Sequence, residues 1–153
     1  MRVLAWITEG GWEAVIDAVA KLHASDVTLI HVNTVDLPGS GRRHDEVVQR
    51  MHALAREAAL ALLDDAEERL GRGTDKVTET GVAETIVYEH AHAHDVLVLA
   101  RDGRHSGPHS IGHDQRWVID HAPCAVFLAW TEGAPDDEAP PPKPKPKPKA
   151  KPV

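Results

Sequence analysis

Residues 101–113 carry the side chains and the glycines that most readily bind an anion. The stretch contains Gly103 and Gly112 together with Arg101 and Arg104. Glycines let the backbone approach a ligand closely, and guanidinium groups donate hydrogen bonds to phosphate oxygens. The N–H groups at the start of a following helix are also suited to phosphate. The stretch therefore predicts a phosphate cradle; the alternative is a glycine-rich surface loop without a ligand.

The histidines allow a second kind of chemistry, metal binding. Eleven are present, and they include two groups: His90, His92 and His94, and His105, His109 and His113. Two histidines four residues apart share one face of a helix and can bind zinc, but no cysteine or firm third ligand accompanies them. Gly107 and Pro108 interrupt the second group. We interpret the first group as a solvated helix end, where histidine is electrostatically favourable, and we predict no metal of the protein's own.

A short motif allows an enzymatic reading of the same loop. The run Ser110-Ile111-Gly112-His113 is similar to the [Thr/His]-x-Gly-His signature of nucleotidyl transferases. That signature follows the first strand, whereas this copy follows the fourth, and the usual lysine-bearing second motif is not evident. Catalysis by this loop is therefore an alternative and not the main prediction.

The elements that must position this loop alternate between strand and helix. A segment with helical periodicity connects the first two strands. Asp45 and Glu46 suit the start of a long second helix, and Gly71 suits its end. Apolar residues at helical spacing on that helix are expected to face a sheet: Val47, Met51, Leu54, Ala58 and Leu62. The predicted strands span residues 3–7, 27–32, 76–80, 96–100 and 125–130, and the last three helices span residues 44–70, 83–93 and 112–121.

This alternation predicts one α/β domain with a five-stranded, mostly parallel sheet and helices on both faces, which is a Rossmann-like arrangement. Ligands of such sheets bind beyond the carboxyl ends of the strands, where the winding reverses. The loop at residues 101–113 follows the fourth strand, and Thr8-Glu9-Gly10-Gly11 follows the first. The four tryptophans are expected to pack in the core, with Trp130 also available to a dimer contact.

Composition limits the possible functions. The chain has 153 residues and a formal net charge of -7, with Cys124 as its single cysteine. A single cysteine excludes an intrachain disulfide and favours the cytoplasm, and we expect neither a signal peptide nor a membrane span. Because the body is acidic, nucleic acid is not expected as the main ligand.

Residues 132–153 differ from the rest of the chain. They are first acidic and then alternate between proline and lysine, from Lys143 to Lys149. This composition cannot form a core and favours an extended chain. We predict a domain at residues 1–131 and a disordered, solubilising tail at residues 132–153; the alternative is an arm that contacts an anionic partner.

The second half of the chain resembles the universal stress proteins. The resemblance rests on Gly81-Val82-Ala83-Glu84-Thr85-Ile86, on Asp95-Val96-Leu97-Val98-Leu99-Ala100, on Gly103 and Gly112, and on His121-Ala122-Pro123-Cys124-Ala125-Val126. It implies a five-stranded parallel fold of the adenine nucleotide alpha hydrolase-like type. It also implies a homodimer through the last strand, Ala125 to Trp130, and a role in the stress response without an established catalytic step.

The family divides into branches that bind ATP and branches that do not. In the ATP-binding branch the loop carries Gly-x2-Gly-x9-Gly followed by Ser or Thr. This chain has Ala100 at the first glycine position, one residue fewer between Gly103 and Gly112, and His113 in place of the hydroxyl residue. Thr8 stands where the family has an acidic residue.

The resemblance and the loop together give the predicted function. We expect a non-catalytic regulatory or sensor domain with a degenerate loop that binds ATP or another adenine nucleotide weakly. The alternative is an ATP-hydrolysing or nucleotidyl-transferring enzyme that uses the same loop. The predicted nucleotide-binding residues are Thr8, Val32, Ala100, Arg101, Gly103, Gly112, His113 and Asp114.

Overall fold

The structure, a computed structural model, describes residues 1–34, 42–104, 106–136, 138 and 140–146. Strands and helices alternate along the chain. The strands are β1 (Arg2–Trp6), β2 (Asp26–Asn33), β3 (Asp75–Thr80), β4 (Val96–Arg101) and β5 (Ala125–Trp130). The helices are α1 (Trp12–Lys21), α2 (Arg42–Leu70), α3 (Ala83–Ala91) and α4 (His113–His121), with a short 3-10 helix at Gly107–Ser110.

The five strands form one sheet in the order β3-β2-β1-β4-β5, and every pairing is parallel. The order reverses between β1 and β4, because the chain winds outward in one direction from β1 to β3 and in the other from β4 to β5. The predicted α/β class and the predicted elements are confirmed. The loops after β1 and β4 therefore meet at the switch point of the sheet, as expected for a ligand site.

Two apolar cores lie on the two faces of the sheet. One packs α1 and α2 against the sheet through side chains such as Val15, Ile16 and Leu63, and the other packs α3 and α4 through side chains such as Val87 and Val118. The central strands β1 and β4 are buried on both faces, which explains their nearly continuous apolar sequence.

The prediction of which face of α2 contacts the sheet is wrong. Val47, Met51 and Leu54 are 52–58% exposed, Ala58 is also exposed, and Leu62 is only partly buried. The buried residues of α2 are instead Ala59, Leu63 and Ala66. The residues that contact the sheet lie about a third of a turn around the helix from the predicted stripe. In addition, 29 residues of helix span about 43 Å, whereas the eight residues of β2 span about 26 Å, so the sheet cannot cover the whole helix.

The tryptophans confirm the core prediction only in part. Trp6 is 5% exposed, whereas Trp117 is 39% exposed on α4, where its ring stacks on the imidazole of His121 at 4.3 Å between centroids. In the part of the tail that the structure describes, no helix or strand follows Trp130. Of the described helices, none combines the length and the apolar character that crossing a membrane would require.

Candidate functional site

A large cleft lies at the carboxyl edge of the sheet, at the switch point between β1 and β4. Its volume is about 870 Å³, and the residues that line it come from the loops after β1, β4 and β5. The lining includes four of the predicted site residues, which are Thr8, Ala100, Arg101 and Gly112. The structure therefore brings the two glycine-containing loops together around one concave surface.

A second cleft of about 320 Å³ adjoins the first. Thr8, Gly112 and Gln115 line both of them. The second cleft contains the predicted residues Val32, His113 and Asp114, and its apolar lining is Trp6, Val32 and Ala83. Gly103 lines neither cleft, so seven of the eight predicted residues lie at this double cleft and one lies beside it.

Arg101 is the cation best placed to meet an anion in the larger cleft. Its Nε and NH2 groups donate hydrogen bonds to Ser110 Oγ at 3.1 and 2.7 Å. Its guanidinium carbon lies 3.9 Å from the centroid of the Trp130 ring, a cation–π contact that follows from the parallel pairing of Arg101 with Trp130. Among the described residues, Arg101 forms no ion pair with a carboxylate. Its guanidinium is thus held in place and part-buried, with no described carboxylate within ion-pair distance.

Arg104, the second predicted arginine, is differently placed. Its guanidinium forms hydrogen bonds of 2.7–3.1 Å with both carboxylate oxygens of Asp102, and its side chain is 75% exposed. This pairing raises the pKa of Arg104 above its ordinary value, chiefly through the hydrogen bond to Asp102. Most of its charge is thus neutralised within the loop.

The loop uses several of its own backbone N–H groups. The N–H of Asp102 donates to the carbonyl of Ser110 at 2.8 Å, and that of Arg104 donates to Asp102 Oδ1 at 3.0 Å. The N–H of Gly103 donates to Thr131 Oγ1 at 2.9 Å, and that of Gly112 to the side-chain oxygen of Gln115 at 3.2 Å. The N–H groups in the first turn of α4 have no partner within the helix and are available as donors to a ligand.

Sequence reasoning missed three residues that shape this loop: Ser110, Gln115 and Thr131. Ser110 is buried, and its Oγ donates to the carbonyl of Gly107 at 2.7 Å while it accepts from Arg101. Only Ser110 carried a sequence signal, since it begins the Ser-x-Gly-His motif. Thr131 could not be found from spacing, because it reaches Gly103 across 28 residues of chain.

Ala100 lines the cleft, as its place at the first glycine position of the loop implied, and it also packs against the other glycine-containing loop. A Cβ added at Gly11 would lie 2.6 Å from the Cβ of Ala100, closer than two carbons can approach. The Ala100 methyl thus occupies the space above Gly11, so only one of the two positions can carry a methyl group without a clash.

The charge of the larger cleft is slightly negative. Two arginines line it, together with the carboxylates of Glu13, Asp102 and Glu132. Because Asp102 pairs with Arg104, the groups that remain are Arg101 on one side and Glu13 and Glu132 on the other. A ligand with one phosphate meets less repulsion here than a ligand with three.

The histidines of the first group do not form the solvated helix end that the sequence suggested. His90 Nε2 donates to Glu79 Oε1 at 2.6 Å, and His94 donates from Nδ1 to the carbonyl of His90 at 2.7 Å and accepts from Thr28 Oγ1 at 2.9 Å. These bonds attach the end of α3 to the sheet, and only His92 is exposed.

The histidines of the second group do not lie together. His109 lines the larger cleft and His113 the smaller one, while His105 lies outside the described residues. Across the described ranges, no three histidine, cysteine or carboxylate side chains come close enough to hold a metal ion.

Known structures share this arrangement of elements. A universal stress protein from Lactobacillus plantarum superimposes with a TM-score of 0.62 at 21% identity, over 84% of this chain and 97% of that one. A universal stress protein family protein from Arabidopsis thaliana with AMP bound gives 0.57 at 16% identity, over 90% and 97%. A universal stress protein in complex with cAMP gives 0.56 at 15% identity, over 86% and 97%.

No family model matches the chain, and no curated protein matches it either. The structural similarity nevertheless extends over most of this chain and nearly all of each related chain. The resemblance inferred from the residues is confirmed at the level of the fold: the chain folds as a universal stress protein.

Proposed function

We propose that the chain is a non-catalytic regulatory domain that binds an adenine nucleotide in the double cleft at the carboxyl edge of the sheet. The observation that carries this proposal is Arg101, a fixed guanidinium without a carboxylate partner among the described residues, at the switch point of the sheet. An uncompensated, part-buried charge is costly unless an anion accompanies it. Related structures with AMP and cAMP support adenine nucleotides as the ligand class.

The phosphate group is assigned to the larger cleft. Arg101 supplies charge, and the first turn of α4, which begins at His113, supplies backbone N–H groups and the positive end of its helix dipole. The base is assigned to the smaller cleft, because Trp6, Val32 and Ala83 give it an apolar lining. Thr8 and Gln115 lie at the boundary and are placed to contact the ribose.

The charge of the cleft favours nucleotides with one phosphate. Glu13 and Glu132 face the same space as Arg101. ATP carries several negative charges, whereas AMP and cAMP carry fewer, so the carboxylates oppose ATP most strongly. We therefore expect AMP or cAMP to bind more tightly than ATP, and magnesium to reduce the difference.

A non-catalytic role is supported by the state of the first residue of the Ser-x-Gly-His motif. Ser110, the hydroxyl of the Ser-x-Gly-His motif, is buried and bonded to Arg101 and Gly107. Its hydroxyl group forms hydrogen bonds within the loop, so it is not available to a substrate. Incubation with ATP and magnesium should therefore yield no product beyond the background rate; release of ADP, AMP or pyrophosphate would favour the enzymatic alternative.

Titration calorimetry with AMP, cAMP and ATP tests the binding site. Arg101→Gln should weaken binding of AMP at least tenfold, because a charge-assisted hydrogen bond to phosphate is worth about 1.5–3 kcal/mol. Arg104→Gln is the matched control and should change the affinity less than about threefold, because Asp102 already compensates that charge. Equal effects of the two variants, or no heat with any of the three nucleotides at millimolar concentration, would contradict the site.

We also propose that two copies pair through β5. It is an edge strand of six residues, its outer hydrogen-bonding groups need a partner, and Phe127 on it is 41% exposed. Phe127→Glu should convert this dimer to a monomer in sedimentation analysis while the melting temperature stays close to that of the parent. An unchanged mass would contradict pairing through β5.

A further inference from the structure

The amino-terminal half of α2 forms no side-chain hydrogen bond or ion pair with the part of the protein that the structure describes, although His52, Ala53 and Arg56 line a cleft with the ends of β2 and β3. Among the described residues, the side-chain bonds that fix α2 all come from its other half: Arg69 to Asp17, Asp64 to Lys76, and Glu67 to Thr74 and Lys76. From residue 45 to residue 58, no side chain forms a hydrogen bond or an ion pair with any described residue. From residue 45 onward, the first fully buried position of α2 is Ala59, while Val48, His52 and Ala55 are part-buried.

The bond between Arg69 and Asp17 sets the relative heights of α1 and α2. Both helices connect parallel strands, so they run in the same direction. Asp17 is five residues after the start of α1 at Trp12, so α1 begins at about the height of residue 64 of α2. With a rise of 1.5 Å per residue, residues 47–58 lie roughly 9–26 Å beyond that point. This part of α2 therefore projects past α1, and we call residues 45–58 the projecting segment.

The projecting segment carries an unpartnered apolar stripe on the side of α2 that faces α1. Val47, Met51, Leu54 and Ala58 follow one another at intervals of four, three and four residues, which is the heptad spacing of a coiled-coil seam. They are exposed, the first three by 56%, 52% and 58%. Arg69, which binds α1, lies on the same side of the helix, so the stripe points into the space above the start of α1.

We infer that this space is filled by the projecting segment of a second copy of the chain, in an antiparallel pair of α2 helices. In that arrangement Met51 of each copy packs against Leu54 of the other, and Val47 packs against Ala58. The two-fold axis passes between Met51 and Leu54, so the contact is isologous and closes on itself.

Charge complementarity specifies this occupant and this direction. Arg50 and Glu57 flank the stripe on the same side, both are exposed, and neither has an ion-pair partner among the described residues. In the antiparallel register Arg50 of each copy lies beside Glu57 of the other, which gives two symmetric ion pairs. In a parallel pair Arg50 and Glu57 would instead face Ala55 and Leu62 of the other copy, which carry no charge.

The length of α2 also fits this antiparallel arrangement. In the same register the partner helix, which begins at Arg42, reaches the height of residue 63, whereas α1 begins at the height of residue 64. The partner helix therefore ends where α1 begins. The α/β domains of the two copies lie at opposite ends of the helix pair, so they do not collide. The contact contains four layers of side chains and is small, so we expect a weak dimer with a dissociation constant in the micromolar range.

The test uses the full chain carrying Phe127→Glu, so that pairing through β5 does not contribute. Its mass is measured by sedimentation over a range of concentrations. We expect a monomer–dimer equilibrium that Leu54→Glu weakens about 100-fold, since a charge at the centre of an apolar contact removes its main contribution. Leu60→Glu is the matched control: Leu60 is a 39% exposed leucine of the same helix but lies off the stripe, so its effect should stay within about threefold.

A charge reversal tests the register. Arg50→Glu should weaken the dimer, Glu57→Arg should do the same, and the double variant should restore it, because the two ion pairs then form with reversed polarity. A chain that stays monomeric at all concentrations would overturn the inference and would point to a segment of the same chain as the occupant of the stripe. A dimer that is insensitive to Leu54→Glu, or a double variant that shows no recovery, would also overturn it.

Discussion

The contact between Gly11 and Ala100 shows how two residues at the candidate site depend on each other. Gly11 lies directly before α1, and its φ of -157° is outside the left-handed region that favours glycine. The requirement is space, because the Ala100 methyl already fills it. A family pattern with glycine at position 100 would remove that constraint from position 11.

Gly11→Ala should therefore lower the free energy of unfolding by about 1–3 kcal/mol through overpacking. The added methyl would lie 2.6 Å from the Ala100 Cβ and 3.1 Å from Thr131 Cγ2. Gly10→Ala, with nothing within 4 Å of the added Cβ, should stay within about 0.5 kcal/mol of the parent in urea denaturation.

The double variant Gly11→Ala, Ala100→Gly isolates the cause. If the two methyl positions compete, replacing Ala100 should recover part of the stability lost in Gly11→Ala, and the double-mutant cycle should show a favourable coupling. Additive losses would mean that the Ala100 methyl is not what restricts position 11.

Glu67 provides a prediction about pH. Its carboxylate accepts hydrogen bonds from the hydroxyl and the N–H of Thr74 and from Lys76 Nζ at 2.6, 2.8 and 3.2 Å. These bonds, first of all that from the Thr74 hydroxyl, lower the pKa of Glu67 below its ordinary value of 4.5. A lowered carboxyl pKa stabilises the folded state fully above pH 4.5, and this contribution is lost as the pH falls through the lower folded value.

Glu67→Gln should therefore lower the melting temperature at pH 7, and the difference from the parent should shrink as the pH falls below 4.5. Thermal unfolding followed by circular dichroism across this range measures it. Glu68→Gln, at an exposed neighbour, controls for loss of a charge. A difference that stayed constant with pH would show that the carboxylate charge is not what stabilises this contact.

At the scale of elements, α2 shows where sequence periodicity is sufficient and where it is not. The helix itself was predictable from its apolar spacing and its ends. The buried face was not, because the exposed stripe contains the larger apolar residues, whereas two of the three buried residues are alanines. Spacing shows that a helix has an apolar face, but it does not show which neighbour covers that face.

Two truncations on α2 test the corrected face. Leu63→Ala should lower the free energy of unfolding by about 2–5 kcal/mol, because Leu63 is fully buried between α2 and the sheet. Leu54→Ala should cost less than about 0.5 kcal/mol in dilute solution, because Leu54 is 58% exposed. Similar losses in both variants, measured by urea denaturation, would contradict the burial described above.

The sequence was sufficient to predict where the candidate site lies, but not which contacts its residues form. Parallel topology alone places the loops after β1 and β4 at one edge, so seven predicted residues lie at the double cleft. The environment of Arg101 depends on the register of β5, which brings Trp130 beside it, and on the fold of the loop, which brings Ser110 to its guanidinium. Such contacts between distant residues leave no local pattern in the sequence.

At the scale of the whole molecule, the tail is expected to be dispensable for stability. Residues 136, 138 and 140–146 are exposed in the described part of the chain. A chain that ends at Pro135 would lose five lysines and three acidic residues, so its formal net charge would change from -7 to -9. Its melting temperature should equal that of the full chain within about 1 °C, because no core contact is removed. A larger fall would show that the tail packs on the domain.

The projecting segment of α2 has a consequence for how the protein opens. A helix whose amides are protected only by its own hydrogen bonds exchanges their protons through local fraying, whereas amides above a packed core exchange only when that core opens. Backbone amides from residue 46 to residue 56 should therefore exchange with deuterium much faster than those from Ala59 to Leu70, although one continuous helix contains both groups. Raising the protein concentration should slow exchange only in the first group, because association would protect the projecting helix without tightening the core.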